Sequence, residues 1–199
     1  PHPDELTLEE GKRLIDEFAE MEIPMVIVTG GEPLISKNFF PYAFYAKEKG
    51  VRMVVSSNGT VITPEVAERM KEANILYVGV SIDAASPEIH DAFRGVKGAW
   101  KRAIEGVQNA LDAGLKTGFR ITIGKDNWKE IPALLDLAVE MGVPRFCVYH
   151  LVPTGRGENI MEWDITKEER IEVLKFLYEK AIELKDLEIE ILTTDSPMD

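Results

Sequence analysis

Apolar residues recur along this chain in two rhythms. Short β-branched runs fall at residues 25–29, 52–56, 77–81, 119–123, 145–149 and 188–192. They are nearly continuous rather than alternating, which predicts parallel strands covered on both faces. Longer amphipathic stretches lie between them, several with recognisable starts. Thr7 and Glu10 form a capping box ahead of Leu14, Ile15 and Phe18, and Thr166 and Glu169 do the same ahead of Ile171, Leu174 and Leu177. Thr63-Pro64 and Ser86-Pro87 each set an N-cap before a first-turn proline. Asn127, three residues before Glu130, is a weaker version of the same signal. Helix ends repeat too: Gly50, Gly114, Gly142 and Asn74 sit where a helix must reverse through positive φ. The pattern predicts a serial βα chain with six strands and at least five helices.

A wound open sheet and a barrel both fit that series. Gly30-Gly31-Glu32-Pro33 is not a dinucleotide-binding glycine fingerprint, which removes one argument for the open sheet. Polar residues gather where the strands end: Thr29 to Glu32, Ser56 to Asn58, Ser81 and Asp83, Thr122 to Asn127, His150, and Thr193 to Asp195. The strand starts lack this enrichment. Polar groups at the carboxyl ends of successive parallel strands mark the active face of a barrel, and six strands are too few to close one of eight. The expected fold is therefore α/β, a partial (β/α)6 barrel of the TIM type forming one unit over residues 1–199.

Composition narrows the function classes. The 199 residues include 23 basic and 35 acidic side chains, a net charge of −12, and 45% are hydrophobic. That is the make-up of a folded globular chain, neither disordered nor stapled by disulfides. Nonspecific duplex binding needs a basic face, so nucleic acid is not an expected partner. No apolar run approaches the ~18–20 residues that span a bilayer, so no membrane is expected either. Cys147 is the one cysteine, which excludes an internal disulfide and an all-cysteine metal cage within these residues; a cytoplasmic setting follows. The opening Pro1-His2-Pro3 reads as the start of a segment taken from a longer polypeptide.

The chemistry-bearing motifs come in order. Gly30-Gly31-Glu32-Pro33 follows the first strand: two glycines let a ligand approach backbone carbonyls, and Glu32 brings a carboxylate. Taken alone it is also what a tight βα turn looks like. Ser57-Asn58-Gly59-Thr60, Ser81-Ile82-Asp83 and His90-Asp91-Ala92-Phe93-Arg94-Gly95 follow, then Leu151-Val152-Pro153-Thr154-Gly155-Arg156-Gly157. Together these segments resemble the radical S-adenosylmethionine (SAM) family. The last resembles its branch with a C-terminal auxiliary-cluster (SPASM) domain, within which the chain is similar to enzymes of alternative haem biosynthesis and of peptide and cofactor maturation.

The resemblance implies an oxidoreductase in which SAM, chelated by a 4Fe–4S cluster, is reductively cleaved to a 5′-deoxyadenosyl radical that takes a hydrogen from a small molecule or peptide. It implies a reductant such as ferredoxin or flavodoxin. Onto this sequence it places Gly30, Gly31, Glu32 and Pro33 at the methionyl amino group and Ser56, Asn58, Ser81 and Asp83 at the ribose. Arg94 or Arg120 would meet the methionyl carboxylate, and Leu151 and Val152 the adenine. The family's Cys-x-x-x-Cys-x-x-Cys motif is absent from these residues, so the cluster ligands are expected outside them and the segment alone is expected to be inactive.

Other residues read more plainly. Arg156, between two glycines, is either a clamp for a substrate carboxylate or an exposed turn residue. His150 ends a strand and is a candidate for the substrate face. Cys147, between Phe146 and Val148, reads as a buried structural thiol, and Trp100, Trp128 and Trp163 as packing residues. His90 lacks a second metal ligand nearby, and Arg94 alone could be a solvated helical residue beside it. Two other functions fit the same segments. A cluster-free lyase or aldolase would use Glu32 and Asp83 as acid and base, Arg156 on an anionic substrate, and Lys125 for any Schiff base. A degenerate barrel would only bind a partner.

Overall fold

The computed structural model describes residues 6–152 and 161–194. In chain order the elements are helix α1 (Leu8–Glu20), strand β1 (Val26–Val28), α2 (Phe39–Glu48), β2 (Met53–Ser57), α3 (Pro64–Glu72), β3 (Ile75–Ser81), α4 (Pro87–Arg94), α5 (Ala99–Asp112), β4 (Thr117–Thr122), α6 (Ile131–Glu140), β5 (Arg145–Tyr149), α7 (Lys167–Glu183) and β6 (Glu190–Thr194). Short 3-10 turns at Pro33–Ile35 and Trp128–Glu130 sit in the loops after β1 and β4. The six strands form one sheet in sequence order, every pairing parallel. The sheet does not close, so the fold is the open partial barrel that the polar strand ends implied.

Local signals act where the sequence places them. Both capping boxes form, at Thr7–Glu10 and at Thr166–Glu169. Thr63 and Ser86 cap α3 and α4 ahead of their first-turn prolines. Gly50, Gly114, Gly142 and Asn74 all take positive φ. Asn127 does not cap: its side chain turns back into the loop after β4. The last strand lies two residues later than the apolar run suggested, because its start is set by Glu190 N donating to Pro144 O.

The outward face of the sheet is the core. Val55, Val78, Val80, Phe119, Ile121, Phe146 and Val148 are almost wholly buried there, against Ala67, Met70, Ala103, Val107, Leu134 and Ala138 of the helices. Truncating Phe119 or Phe146 would remove about 3–5 kcal/mol by the usual cost of a cavity. The inward face is a trough. Gly79 and Gly118 make it possible: a Cβ at Gly79 would collide with the Arg120 stem and one at Gly118 with the Tyr77 hydroxyl. The strand starts are more polar than the sequence suggested, since Arg145 binds Glu190 at 2.5 Å with Lys116 on the other carboxylate oxygen at 3.8 Å. Among the described residues no helix is long and apolar enough to cross a membrane.

Candidate functional site

The loop after β1 is held by its own glutamate. Glu32 Oε1 accepts from Leu34 N at 3.2 Å and from Ser57 Oγ at 2.9 Å, and Oε2 accepts from Asn58 N at 2.7 Å. Its carboxylate thus fastens the β1 loop to the β2 loop. The chain continues the pattern: Ser57 Oγ accepts from Gly59 N, and Asn58 Oδ1 accepts from both Thr60 N and Thr60 Oγ1. Gly30, at φ +138°, and Gly31 face open space, where a Cβ would meet nothing within 4 Å. Backbone in that state is accessible to a ligand from above.

The loop after β3 is organised around Asp83. It is wholly buried, and Arg94 clasps its carboxylate from α4, with Nε at 2.7 Å and Nη2 at 2.5 Å from Oδ2. Thr122 N approaches the other oxygen at 3.4 Å, the Asp83 carbonyl accepts from Asn127 Nδ2, and the Asp83 N–H donates to His90 Nδ1 at 3.1 Å. Burial pushes the Asp83 carboxyl above its ordinary pKa, and the Arg94 guanidinium works against that rise. Asp91 accepts from Trp100 N at 2.8 Å and from Gly98 N, so it supplies the anion at the start of α5, and those backbone bonds hold its pKa low. Gly95 closes α4 in the left-handed conformation. The segment from His90 to Gly95 is therefore a brace for the β3 loop.

His90 is neutral in this brace. Burial, aided by the charge of Arg94, lowers its pKa to about 4. An unfolded imidazole gains a proton below about pH 6.5 while the folded one stays neutral until about 4. Acidification therefore favours the unfolded chain across that window. The expected loss is roughly 2 kcal/mol by pH 4, after allowance for solvent screening. His90→Asn keeps an acceptor for the Asp83 N–H but cannot be protonated, so denaturant midpoints should fall less steeply with pH in that variant. Equal slopes in the two proteins would assign the acid sensitivity to other groups.

Two cavities open beside these loops. One, of about 300 Å³ at the C-terminal end of the trough, is lined by Ser56, Ser81, Arg120, Thr122, Tyr149, His150, Leu151 and Val152. Arg120 lies 4.8 Å over the Tyr149 ring, and no carboxylate among the described residues pairs with it. The other, of about 280 Å³, takes in Asn58 and Arg94. The expected SAM set is thus divided. Ser56, Ser81, Arg120, Leu151 and Val152 come together in the trough, Gly30 to Pro33 form the loop after β1, and Asn58 and Arg94 line a separate wall. The Asp83 carboxylate is enclosed, with Arg94 and the Thr122 N–H as its partners at that depth. Arg94 is not a solvated helical residue but the partner of that carboxylate.

The remaining expectations fall out by geometry. His150 borders the trough, yet its ring is buried with Nε2 3.2 Å from Thr193 Oγ1, so it ties β5 to β6. Arg156 lies outside the described residues. Cys147 is buried and its thiol pKa is raised by that burial, as a structural thiol requires. Trp163 stacks on Phe93 at 5.1 Å and covers Gly124. The lyase reading loses its residues: Asp83 is enclosed, Glu32 is held by three donors, and Lys125 Nζ donates to the Glu162 carbonyl in an exposed loop. Sequence reasoning passed over Ser57, Asn127 and Tyr149 as parts of the site. Ser57 and Asn127 stood within the polar strand ends, whereas Tyr149 carried no local signal.

A 4Fe–4S cluster does not fit these residues. Cys147 is the sole thiol and lies within β5, and no group of three or more His, Cys, Asp or Glu among the described residues could hold a metal ion. SAM does fit the trough, whose donors and one unpaired guanidinium suit ribose hydroxyls and a carboxylate.

Comparison with known proteins gives the family and the fold. The Radical SAM superfamily model matches residues 1–138. The chain is 43% identical over 197 residues to the Fe-coproporphyrin III synthase of Methanosarcina barkeri, covering 98% of this chain and 49% of that protein. It is 37% identical over 179 residues to the AdoMet-dependent heme synthase of Nitratidesulfovibrio vulgaris, covering 90% of this chain and 49% of that one. The chain therefore spans about half the length of these curated relatives. The crystal structure of Streptococcus suis SuiB bound to S-adenosylmethionine matches with a TM-score of 0.81, covering 96% of this chain and 42% of that one; at 14% identity the likeness is one of fold. With motifs, fold and relatives in accord, the chain belongs to the radical SAM superfamily.

Proposed function

We propose that residues 1–199 form the SAM-binding unit of a longer cytoplasmic protein that modifies an anionic tetrapyrrole. The observation that carries this reading is the trough cavity: among the described residues its lining holds hydroxyls from Ser56, Ser81 and Thr122, one guanidinium, and no acid. The relatives at 43% and 37% identity, an Fe-coproporphyrin III synthase and an AdoMet-dependent heme synthase, supply the substrate class. In the longer protein the reaction is the reductive cleavage of SAM, with cluster ligands contributed from outside these residues and electrons from a ferredoxin or flavodoxin.

This chain's own residues bind and orient. Gly30 and Gly31 offer backbone carbonyls to the methionyl ammonium, and Glu32 and Pro33 hold that loop in place. Ser56 and Ser81 take the ribose hydroxyls, while Leu151 and Val152 meet the adenine through backbone groups. Arg120 takes the methionyl carboxylate, since it lines the trough, whereas Arg94 lies at the separate wall with Nε and Nη2 on Asp83. A charge-assisted bond of this kind is worth about 1.5–3 kcal/mol, or roughly 10- to 150-fold in affinity. Isothermal titration of the chain with SAM should give saturable binding that Arg120→Ala weakens by that factor. Absence of SAM binding in the unaltered chain, or full affinity in Arg120→Ala, would overturn the assignment.

A further inference from the structure

The second cavity, of about 280 Å³, has no place in SAM binding as read above. Among its walls are Asn58, Thr60, His90, Arg94 and Arg102, and no carboxylate among the described residues lines it. Asp83 separates it from the trough, touching Thr122 on one side and Arg94 and His90 on the other.

The polar groups at this wall are donors except Thr60, whose hydroxyl proton goes to Asn58 Oδ1 and whose oxygen is left as an acceptor. His90 is almost fully buried, and its Nδ1 is occupied as the acceptor of the Asp83 N–H. A neutral imidazole in that arrangement carries its proton on Nε2. No hydrogen bond among the described residues engages Nε2, so the ring presents an N–H to the cavity. Asn58 Oδ1 already accepts two bonds from Thr60, which leaves its amide N–H groups as the free edge. Arg94 is pinned by Asp83 with about a third of its side chain exposed, so its guanidinium stands in fixed orientation. Arg102 has no acidic partner among the described residues. The nearby carboxylates are engaged, Asp83 on Arg94 and Asp91 at the start of α5.

A rigid, partly buried set of donors with two guanidiniums is unfavourable for a cation and complementary to a carboxylate, whose two oxygens accept in one plane. We propose that this cavity is a carboxylate site that holds an acidic arm of the substrate, beside the SAM site and distinct from it. The assignment to a substrate arm rests on the tetrapyrrole reading above; the carboxylate chemistry does not.

The test follows the His90 Nε2–H and Arg102 Nε–H resonances in the 15N-labelled chain. Propionate, the bare probe, should shift both saturably, and Arg102→Ala should weaken its binding at least tenfold. Arg102 is exposed, so the variant's amide spectrum should otherwise be unchanged. No saturable shift with propionate, or unaltered binding in Arg102→Ala, overturns the site. Coproporphyrin III should then produce the same shifts at far lower concentration with SAM already bound, and SAM alone should not. If SAM alone moves these resonances, the cavity takes the methionyl carboxylate and the substrate-arm assignment falls while SAM binding stands. If coproporphyrin III binds without moving these resonances, the substrate-arm assignment falls while the tetrapyrrole reading stands; if it does not bind at all, the tetrapyrrole reading falls and the propionate shifts alone carry the carboxylate site.

Discussion

Replacing Arg94 with alanine is expected to destabilise the chain by about 3–5 kcal/mol, the usual cost of stripping the partner from a buried charge. Asp83 would be left in a site with no solvent, facing only the weak Thr122 N–H at 3.4 Å. Burial already raises its carboxyl, and without Arg94 the group would protonate rather than stay charged, gaining a hydroxyl donor with nowhere to point. Asp83→Asn should cost less, because Arg94 is partly exposed and water can take over its solvation. The double variant Asp83→Asn, Arg94→Ala should then be more stable than the sum of the singles predicts, with a coupling of about 1–3 kcal/mol. Guanidinium denaturation of the four proteins measures it. A loss below 1 kcal/mol in Arg94→Ala would mean that Asp83 is not held as described.

That ion pair also shows where sequence reasoning stopped. The strand series, the helix caps and the positive-φ joints were legible because each depends on residues within four positions of one another. Thr7 with Glu10, or Gly114 after α5, needs no knowledge of the fold. The barrel was legible because polar strand ends repeat. The partners of the charged residues were not. Glu32 and Asp83 are both carboxylates at a mouth, and both read naturally as ligand contacts. In the structure each serves backbone N–H and a side chain from another element, Ser57 at the end of β2, 25 residues away, and Arg94 at the end of α4, 11 residues away. Gly79 and Gly118 were unread for the same reason: the side chains they accommodate belong to the adjacent strands. Lys116, Arg145 and Glu190 meet at the strand starts only because three strands align there.

The division of the expected SAM residues between two cavities has the same origin. Asn58 and Ser56 are two residues apart and were assigned together, yet β2 ends at Ser57 and the chain turns at once through Gly59. α5 rests directly on that turn, since a Cβ at Gly106 would collide with the Gly59 carbonyl. Ser56 therefore stays with the trough while Asn58 is carried toward α4 and α5. Proximity in sequence predicts a shared site only while the strand lasts.

Glu32→Ala should lower SAM affinity about 100-fold, within the range expected for Arg120→Ala although its carboxylate acts through the loops. The carboxylate accepts from Leu34 N, Ser57 Oγ and Asn58 N, so its removal releases two loops at once. The glycines that offer their carbonyls lie directly before it, and Ser57 follows Ser56 of the trough. Ordering both loops would then fall to the ligand, and a hundredfold loss corresponds to about 2.7 kcal/mol of such ordering. Global stability should drop by only about 1–2 kcal/mol, since water reaches the loop and replaces part of the lost bonding. Glu32→Gln has one acceptor oxygen and an amide that must face a donor, so it should fall between the two, near tenfold. Amide exchange separates this positioning role from direct contact with the ammonium. If Glu32 acts through the loops, the Asn58 and Gly59 amides should lose protection in Glu32→Ala without SAM and recover it on SAM binding. If affinity falls while those amides exchange as in the unaltered chain, the carboxylate meets the ligand itself, and its bonds to the β2 loop must open when SAM arrives.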